Sequence, residues 1–163
     1  MRLSNRNKAP LYNFFLTFLN LIVGLGVILF LLEIFRFNIL GNEQYLLLII
    51  PISLLVVFLL MGKQIFEYDS DGEALNLKNR SIIPFLRKVV NDEFPKYKVL
   101  KFEIVNFGLI KRLYLTISSK KSHSIILKYE ISYLTKKEIN DLKFSLNKVI
   151  KQNRLIEKSE QTQ

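Results

Sequence analysis

The chain has 163 residues, carries 24 Lys and Arg against 14 Asp and Glu, is half hydrophobic and contains no cysteine. This length accommodates one small folded domain of about 100 residues beside a pair of apolar helices. The lack of cysteine excludes disulfides and thiolate metal ligands and fits a reducing compartment. Four of the 24 basic and two of the 14 acidic residues precede residue 63, so the remainder carries about eight excess positive charges.

Two apolar runs dominate the first 62 residues. Residues 11–32 contain no charged side chain, and as a helix they would extend roughly 33 Å, enough to cross a hydrocarbon core of about 30 Å. Residues 45–61 form a second uncharged run of roughly 26 Å, which crosses if Lys63 snorkels and Tyr45 lies at the headgroups. Pro51 either kinks this span or marks its first turn. The sequence predicts a transmembrane helical hairpin over residues 1–62 with its turn at Gly41-Asn42.

The distribution of charge around the two spans predicts their orientation. The N-terminal flank carries three cations and no acid, whereas the connector carries one cation and two acids. The segment after the second span opens with Lys63 and stays basic. By the positive-inside rule, both termini face the cytoplasm of a multi-pass protein, which we expect in a bacterial inner membrane. A cleaved signal peptide is disfavoured, because the first run exceeds the usual apolar core and no small-residue cleavage site follows it.

Small and polar residues follow one face of the first span at positions i, i+4, i+7 and i+11. An unpaired amide near mid-membrane costs free energy, so this face is predicted to be a helix-packing seam against the second span or another copy of the chain. The alternative is that isolated Asn and Thr residues are tolerated near the ends of a span. The residues of the predicted seam are Asn13, Thr17, Asn20 and Gly24.

After Lys63 the apolar pattern changes to alternation, which predicts strands. Residues 64–68 and 73–78 form a hairpin around the turn Asp69-Ser70-Asp71-Gly72. The acids of this turn invite comparison with a calcium loop, but the remaining ligand spacing is missing, so no metal is predicted. Three further strands are predicted as an antiparallel meander over residues 98–105, 112–118 and 124–129.

Residues 81–96 have two interpretations. Their apolar side chains, interrupted by two prolines, suit a strand with an irregular connection that completes a core. The other interpretation is a segment lying on the membrane surface, with Arg87 and Lys88 at the lipid phosphates.

A helix is predicted over residues 135–152. Thr135 and Glu138 have the spacing of a capping box, and Leu134 and Ile139 that of a hydrophobic staple. Residues 154–163 lose the pattern and are predicted to be a disordered tail. The domain after the spans therefore covers residues 63–153, and its helix has one apolar stripe, formed by Ile139, Leu142, Leu146, Val149 and Ile150.

No catalytic or cofactor site can be assembled from the sequence. His123 is the only histidine and lies at a turn, where a lone histidine is more often a solvated residue than a base. There is no glycine-rich phosphate loop, so we predict no enzymatic activity, no cofactor and no small-molecule substrate. Nucleic acid is disfavoured, because aromatic residues are not interleaved with the cations.

The excess cations favour contact with anionic lipid, although the positive-inside bias alone also accounts for them. On a domain tethered to the inner leaflet, each cation near the surface gains roughly 1 kcal/mol from anionic lipid. The predicted lipid-contact residues are Lys63, Arg87, Lys88, Lys111 and Arg112.

The order of these elements resembles that of the bacterial membrane-anchored pleckstrin-homology-like (PH-like) proteins. The resemblance covers residues 64 to about 152 and includes the passage Ser132-Tyr133-Leu134-Thr135-Lys136-Lys137-Glu138 into the final helix. It implies an α+β membrane protein with a small PH-like β-barrel closed by the C-terminal helix, acting as a binding or scaffolding module. The first hairpin turn is acidic here, where the lipid-binding members carry basic residues, so no binding residues are carried over.

The sequence therefore favours a non-enzymatic inner-membrane adaptor or scaffold. Its PH-like domain is expected to bind a protein partner or to self-assemble, with peripheral contact to anionic lipid. The alternative is a membrane-lipid or envelope-stress sensor that binds headgroups directly.

Overall fold

The computed structural model describes residues 1–83, 88–119 and 123–160, and the chain divides into two compact units. The helical hairpin comprises residues 8–61, and the sheet domain combines residues 1–7 with residues 62–163. The class is α+β, with two apolar helices and two small antiparallel sheets. The first seven residues thus belong to the sheet domain, whereas the predicted boundary at residue 62 assigned them to the hairpin.

Two helices form the hairpin. Helix α1 spans Ala9–Leu32 and α2 spans Leu46–Leu60. A π-helical turn, Glu33–Phe37, continues α1, and the 3-10 helix Gly41–Tyr45 leads into α2 where a simple turn was predicted. With these extensions, both helices are long and apolar enough to cross a membrane.

The two helices approach each other closely at Gly26. A Cβ atom built on this residue would lie 2.4 Å from the carbonyl oxygen of Leu47 and 3.2 Å from Cγ of Pro51. Pro51 lies inside α2 and is buried. Because proline has no N–H, the Leu47 carbonyl four residues earlier lacks its usual intrahelical donor, and only glycine lets α1 pass against it.

The predicted packing seam lies on a different face of α1. A Cβ atom on Gly24 would meet no atom within 4 Å. The structure therefore does not bring this face against α2, and its pairing with a second copy stays a prediction. All four residues of the predicted seam are exposed: Asn13, Thr17, Asn20 and Gly24.

The first sheet has the strand order β1-β2-β3-β4, with every neighbouring pair antiparallel. Strands β2 and β3 confirm the predicted hairpin around residues 69–72. Strand β4 assigns the second half of the ambiguous 81–96 segment to a sheet, where Phe94 is buried. Residues 84–87 lie outside the described part of the chain. The four strands are β1 Arg2–Ser4, β2 Ile65–Asp69, β3 Ala74–Arg80 and β4 Val90–Pro95.

The second sheet is the predicted meander, in the order β5-β6-β7. Its strands are β5 Val99–Phe107, β6 Ile110–Ser119 and β7 His123–Glu130. A short 3-10 helix, Lys96–Lys98, joins the two sheets. The described strands form two separate sheets and not the closed barrel that the resemblance implied.

Helix α3 begins as predicted and ends later. It spans Lys136–Glu160. The capping box is confirmed, because the Thr135 N–H donates to Glu138 Oε2 at 2.7 Å and the Glu138 N–H donates to Thr135 Oγ1 at 3.2 Å. The predicted tail after residue 154 is helical through residue 160. Asn153 Nδ2 donates to the carbonyls of Lys96 and Val99, which holds the later turns against the sheets.

One core joins both sheets and α3. Tyr68 shares a 2.9 Å hydrogen bond with Ser145 of α3, and the Tyr129 hydroxyl donates to Asp92 Oδ2 at 2.8 Å. Burial raises the pKa of both phenols, so both stay protonated over the neutral range. The predicted stripe of α3 is buried in this core together with Phe66, Leu75, Leu77, Leu113 and Leu115.

Asn5 extends the pairing of β1 with β2 beyond the end of β1. Its backbone N–H donates to the Phe66 carbonyl at 3.3 Å, and its Oδ1 accepts the Phe66 N–H at 2.8 Å. Its Nδ2 donates to the Gln64 carbonyl at 2.8 Å. The buried amide thus satisfies the backbone groups of β2 just before the chain enters the hairpin.

Asn79 joins the two sheets at the same end of the domain. Its Nδ2 donates to the carbonyls of Ile65 and Glu130, at 3.2 and 3.0 Å, and its Oδ1 accepts the Glu130 N–H at 2.9 Å. The residue is fully buried. One amide therefore pairs three backbone groups from β2 and β7 that would otherwise be buried without partners.

We predict opposite effects for alanine at two neighbouring glycines of α1. Gly26→Ala forces a Cβ against the Leu47 carbonyl and should lower the free energy of unfolding of the hairpin by about 1–3 kcal/mol. Gly24→Ala meets open space and should leave it unchanged or raise it by up to about 1 kcal/mol through helix propensity. Denaturation of both variants in mixed micelles measures the difference, and equal effects would contradict the close approach at Gly26.

We predict that Asn79→Ala lowers the free energy of unfolding of the sheet domain by about 3 kcal/mol, because it leaves buried backbone groups unpaired. Urea titration in mild detergent, followed by circular dichroism, gives the value. The matched control is Asn76→Ala on the same strand, whose side chain makes no hydrogen bond within the described residues and whose replacement should cost less than about 0.5 kcal/mol. Similar losses in both variants would show that Asn79 does not join the sheets.

Candidate functional site

The structure brings two of the predicted lipid-contact residues together in one basic cavity. Lys63 and Lys88 line this cavity of about 380 Å³ with Val90, Lys128 and Glu130. We call it the lysine cavity. All five residues belong to the sheet domain.

Local backbone structure accounts for the position of each lysine. Gly62 is buried with φ +95°, and this left-handed conformation turns the chain from the end of the hairpin into β2. The N–H of Lys63, the next residue, donates to Glu130 Oε2 at 2.7 Å. Lys128 stands two residues before Glu130 on β7, so both side chains lie on one face of that strand. Lys88 comes just before β4, whose first residue, Val90, completes the wall.

The charges of the cavity are unbalanced in favour of cations. Three lysines face one carboxylate, Glu130, which also accepts the backbone hydrogen bond from Lys63. Lys88 and Lys128 are exposed and Lys63 is half-buried. Lysine ammonium groups act as strongly hydrated point charges with three donors each. The arrangement suits phosphate or carboxylate oxygens brought to the surface of the domain.

Two further predicted cations, Lys111 and Arg112, lie elsewhere on the sheet domain. Lys111 lines a second cavity of about 310 Å³ that it shares with Lys136 and Lys143 near the start of α3. Arg112 lies on β6, where its Cζ is 5.9 Å from the ring centroid of Phe107. Arg87 falls outside the described residues. The four described members of the predicted set are thus divided between two cavities and one strand.

Lys128 is the lysine of the cavity that the sequence analysis did not select. Its place on the strand predicted over residues 124–129 was readable. Its proximity to Lys63 depends on the contact between β7 and the start of β2, which join across 67 residues of chain. A contact of that separation leaves no local signal in the sequence.

A larger cavity lies at the opposite end of the first sheet. The turn between β2 and β3 is one strand length, roughly 17 Å, from the start of β2, and the Lys96 N–H donates there to the Glu73 carbonyl at 3.0 Å. The groove measures about 610 Å³. We call this cavity the far groove. It is lined by Glu73, Pro95, Lys96, Tyr97, Gln152, Asn153, Leu155 and Ile156.

The described residues, 1–83, 88–119 and 123–160, contain no group of three or more His, Cys, Asp or Glu that could hold a metal ion. His123 is exposed at the first position of β7 with φ +57°. The acids of the first hairpin turn are engaged by β1: Arg2 Nε lies 2.9 Å from Asp69 Oδ2 and 3.2 Å from Asp71 Oδ2. The N-terminal ammonium beside Asp71 lowers the pKa of that carboxyl.

Comparison with known proteins leaves the geometry as the basis for function. No protein-family model, no curated protein and no solved structure matches the chain.

Proposed function

We propose that the chain is a non-enzymatic membrane-anchored binding module whose sheet domain rests on an anionic bilayer through the lysine cavity. The observation that carries the proposal is the convergence of Lys63, Lys88 and Lys128 next to the residue at which the chain leaves the hairpin. At roughly 1 kcal/mol for each lysine near anionic lipid, the three contribute about 3 kcal/mol. That free energy shifts a docking equilibrium by about 150-fold.

The chain connections of the hairpin support the proposal that both of its ends lie on the same side of the bilayer. Four residues lie between the end of β1 and the start of α1, and four lie between the end of α2 and the start of β2. The two strands are neighbours in one sheet, so both ends of the hairpin enter the same folded domain. A hairpin that crosses a bilayer twice satisfies this constraint, because it returns the chain to the side from which it started. The basic flanks favour the cytoplasmic side of a bacterial inner membrane.

The order of elements in the sheet domain supports the proposal that it is PH-like. Antiparallel strands are followed by one capped amphipathic helix, α3, which packs its apolar stripe into the core. In the PH-like reading, the domain is a binding module and not a catalyst. In the alternative form of the proposal, the domain binds lipid headgroups directly and acts as a sensor of membrane lipid or envelope stress.

We expect anionic lipid to protect the cavity lysines from chemical labelling. The full-length chain would be placed in nanodiscs of phosphatidylcholine alone or with phosphatidylglycerol and treated with an amine-reactive reagent. Mass spectrometry of peptides should show severalfold slower labelling of Lys63, Lys88 and Lys128 in the anionic discs, because each ammonium pairs with lipid phosphate. Lys148 and Lys151, both exposed on α3, are the internal controls and should label equally in both lipids.

Matched charge removal sharpens this test. The double substitution Lys88→Ala with Lys128→Ala should abolish the lipid-dependent protection of Lys63. Lys148→Ala with Lys151→Ala removes the same charge and should preserve it. Labelling rates of the cavity lysines that do not depend on lipid charge would overturn the membrane-contact proposal.

The far groove favours a second candidate function, an adaptor that binds a protein partner. Tyr97, Leu155 and Ile156 are exposed around it, and contiguous exposed apolar side chains are typical of interaction sites. The groove is also at the end of the first sheet opposite Gly62, so membrane contact at the lysine cavity leaves it accessible.

We predict that the adaptor function requires the far groove. Leu155→Asp with Ile156→Asp should abolish co-purification of a stoichiometric partner with the full-length chain in mild detergent, because charge in an apolar interface costs desolvation energy. The control is Phe144→Asp, a still more exposed apolar position of α3 outside the groove. Native mass measurement distinguishes a partner from a homo-oligomer. A chain that purifies as a monomer carrying only lipid would exclude the adaptor.

A further inference from the structure

The turn between β5 and β6 is apolar where a surface turn is usually polar. Phe107 and Ile110 pair across a two-residue turn made of Gly108 and Leu109. Gly108 has φ +66°, which a turn of type II′ requires at its first position and which glycine adopts without strain. The second position usually holds Asn, Ser or Asp, but here it holds leucine.

The apolar side chains of this turn project away from the domain. Phe107 is 59% exposed and Leu109 is 62% exposed. A Cβ atom on Gly108 would meet no atom within 4 Å. Neither Phe107 nor Leu109 takes part in the core of the sheet domain. The residues therefore do not stabilise the fold by burial, and their exposure to water would carry a cost.

Contacts within the sheet domain place the turn at the end where the chain enters β2 from the hairpin. Three residues after Leu109, Arg112 pairs with Glu130 in the ladder of β6 and β7. The Glu130 carboxylate in turn accepts the Lys63 N–H at 2.7 Å. The carbonyl of Lys111 accepts the Ile131 N–H at 2.9 Å, which fixes the base of the turn beside the end of β7.

Cations surround the base of the apolar turn. Lys111 and Arg112 follow it after Ile110, and the guanidinium of Arg112 lies 5.9 Å from the ring centroid of Phe107. Lys136 and Lys143 share a cavity with Lys111. An exposed apolar turn flanked by Lys and Arg is typical of a segment that inserts into the interface of an anionic bilayer.

We propose that the Phe107-Gly108-Leu109 turn inserts into the bilayer that the hairpin spans, with Lys111 and Arg112 at the lipid phosphates. This inference rests on the proposed function and deepens it, because the turn adds an attachment point that is separate from the lysine cavity. With both ends of the hairpin, these contacts hold one end of the sheet domain at the membrane surface. We assign lipid and not protein as the partner of the turn. Both chain connections to the hairpin, which is proposed to span the bilayer, leave from the same end of the domain.

The chain contains no tryptophan, so single substitutions give clean fluorescent reporters. Leu109→Trp would report on the turn, and Tyr97→Trp in the far groove is the matched exposed control. Phe18→Trp on α1, also exposed, reports on insertion of the hairpin itself. Each full-length variant would be reconstituted in vesicles of phosphatidylcholine and phosphatidylglycerol that carry bromine on the acyl chains. Phe107→Trp serves as a second reporter should Leu109→Trp fold poorly.

We expect bromolipid to quench Leu109→Trp at least about threefold more strongly than Tyr97→Trp, with bromine near the headgroup more effective than bromine deep in the chain. Its emission should also shift to the blue relative to Tyr97→Trp. Quenching of Phe18→Trp without quenching of Leu109→Trp would overturn insertion of the turn and leave the membrane anchor intact. A blue-shifted but unquenched Leu109→Trp would show that protein covers the turn, which also overturns it. Failure to quench Phe18→Trp would instead overturn the proposed function.

Discussion

Strand β1 pairs with β2 across an insertion of two helices, and the rest of the molecule depends on this pairing. Ser4 faces Glu67 in the ladder, so the contact closes a loop of more than sixty residues around only three residues of strand. Such a closure has a high entropic cost and little local gain. A helical hairpin lowers that cost, because two antiparallel helices already return the chain to its starting point. Asn5 then adds hydrogen bonds from a buried side chain where β1 itself has ended.

Buried polar groups concentrate at the end of the sheet domain that receives the hairpin. Asn5 and Asn79 are fully buried with hydrogen-bond partners, and Gln64 Oε1 accepts from the Ser81 hydroxyl and the Ile82 N–H. Burying an amide is tolerated only when its donors and acceptors are paired, and such a network then specifies one arrangement of the chains around it. Hydrogen bonds therefore offset the desolvation cost of these buried amides at the end of the domain where the chain leaves for the hairpin and returns from it. Elsewhere the core is mainly apolar, and its buried tyrosine hydroxyls, on Tyr68 and Tyr129, pair with Ser145 and Asp92.

The chemical character of the sheet domain differs between its two ends. Near Gly62 lie the lysine cavity and the apolar turn at Leu109, whereas the far groove presents Tyr97 and Ile156. Cations and small apolar tips suit the interface of a bilayer, where phosphate and acyl chain meet within a few ångströms. A groove with aromatic and aliphatic walls suits a protein surface. The proposed membrane contact and the proposed partner contact are therefore assigned to opposite ends of one domain.

The sequence by itself determined the elements whose signal is local. The two apolar runs, the hairpin at Asp69–Gly72 and the Thr135–Glu138 capping box were readable because helix periodicity, turn chemistry and caps depend on residues a few positions apart. Only the tertiary structure decided that Arg2–Ser4 is a strand, that Gly26 rather than Gly24 meets α2, and that Lys128 joins Lys63. Three alternating residues are too few to predict a strand, and both glycines look alike until the partner helix is placed. Contacts between residues far apart in the chain are set by the packing of whole elements, which no short stretch of sequence encodes.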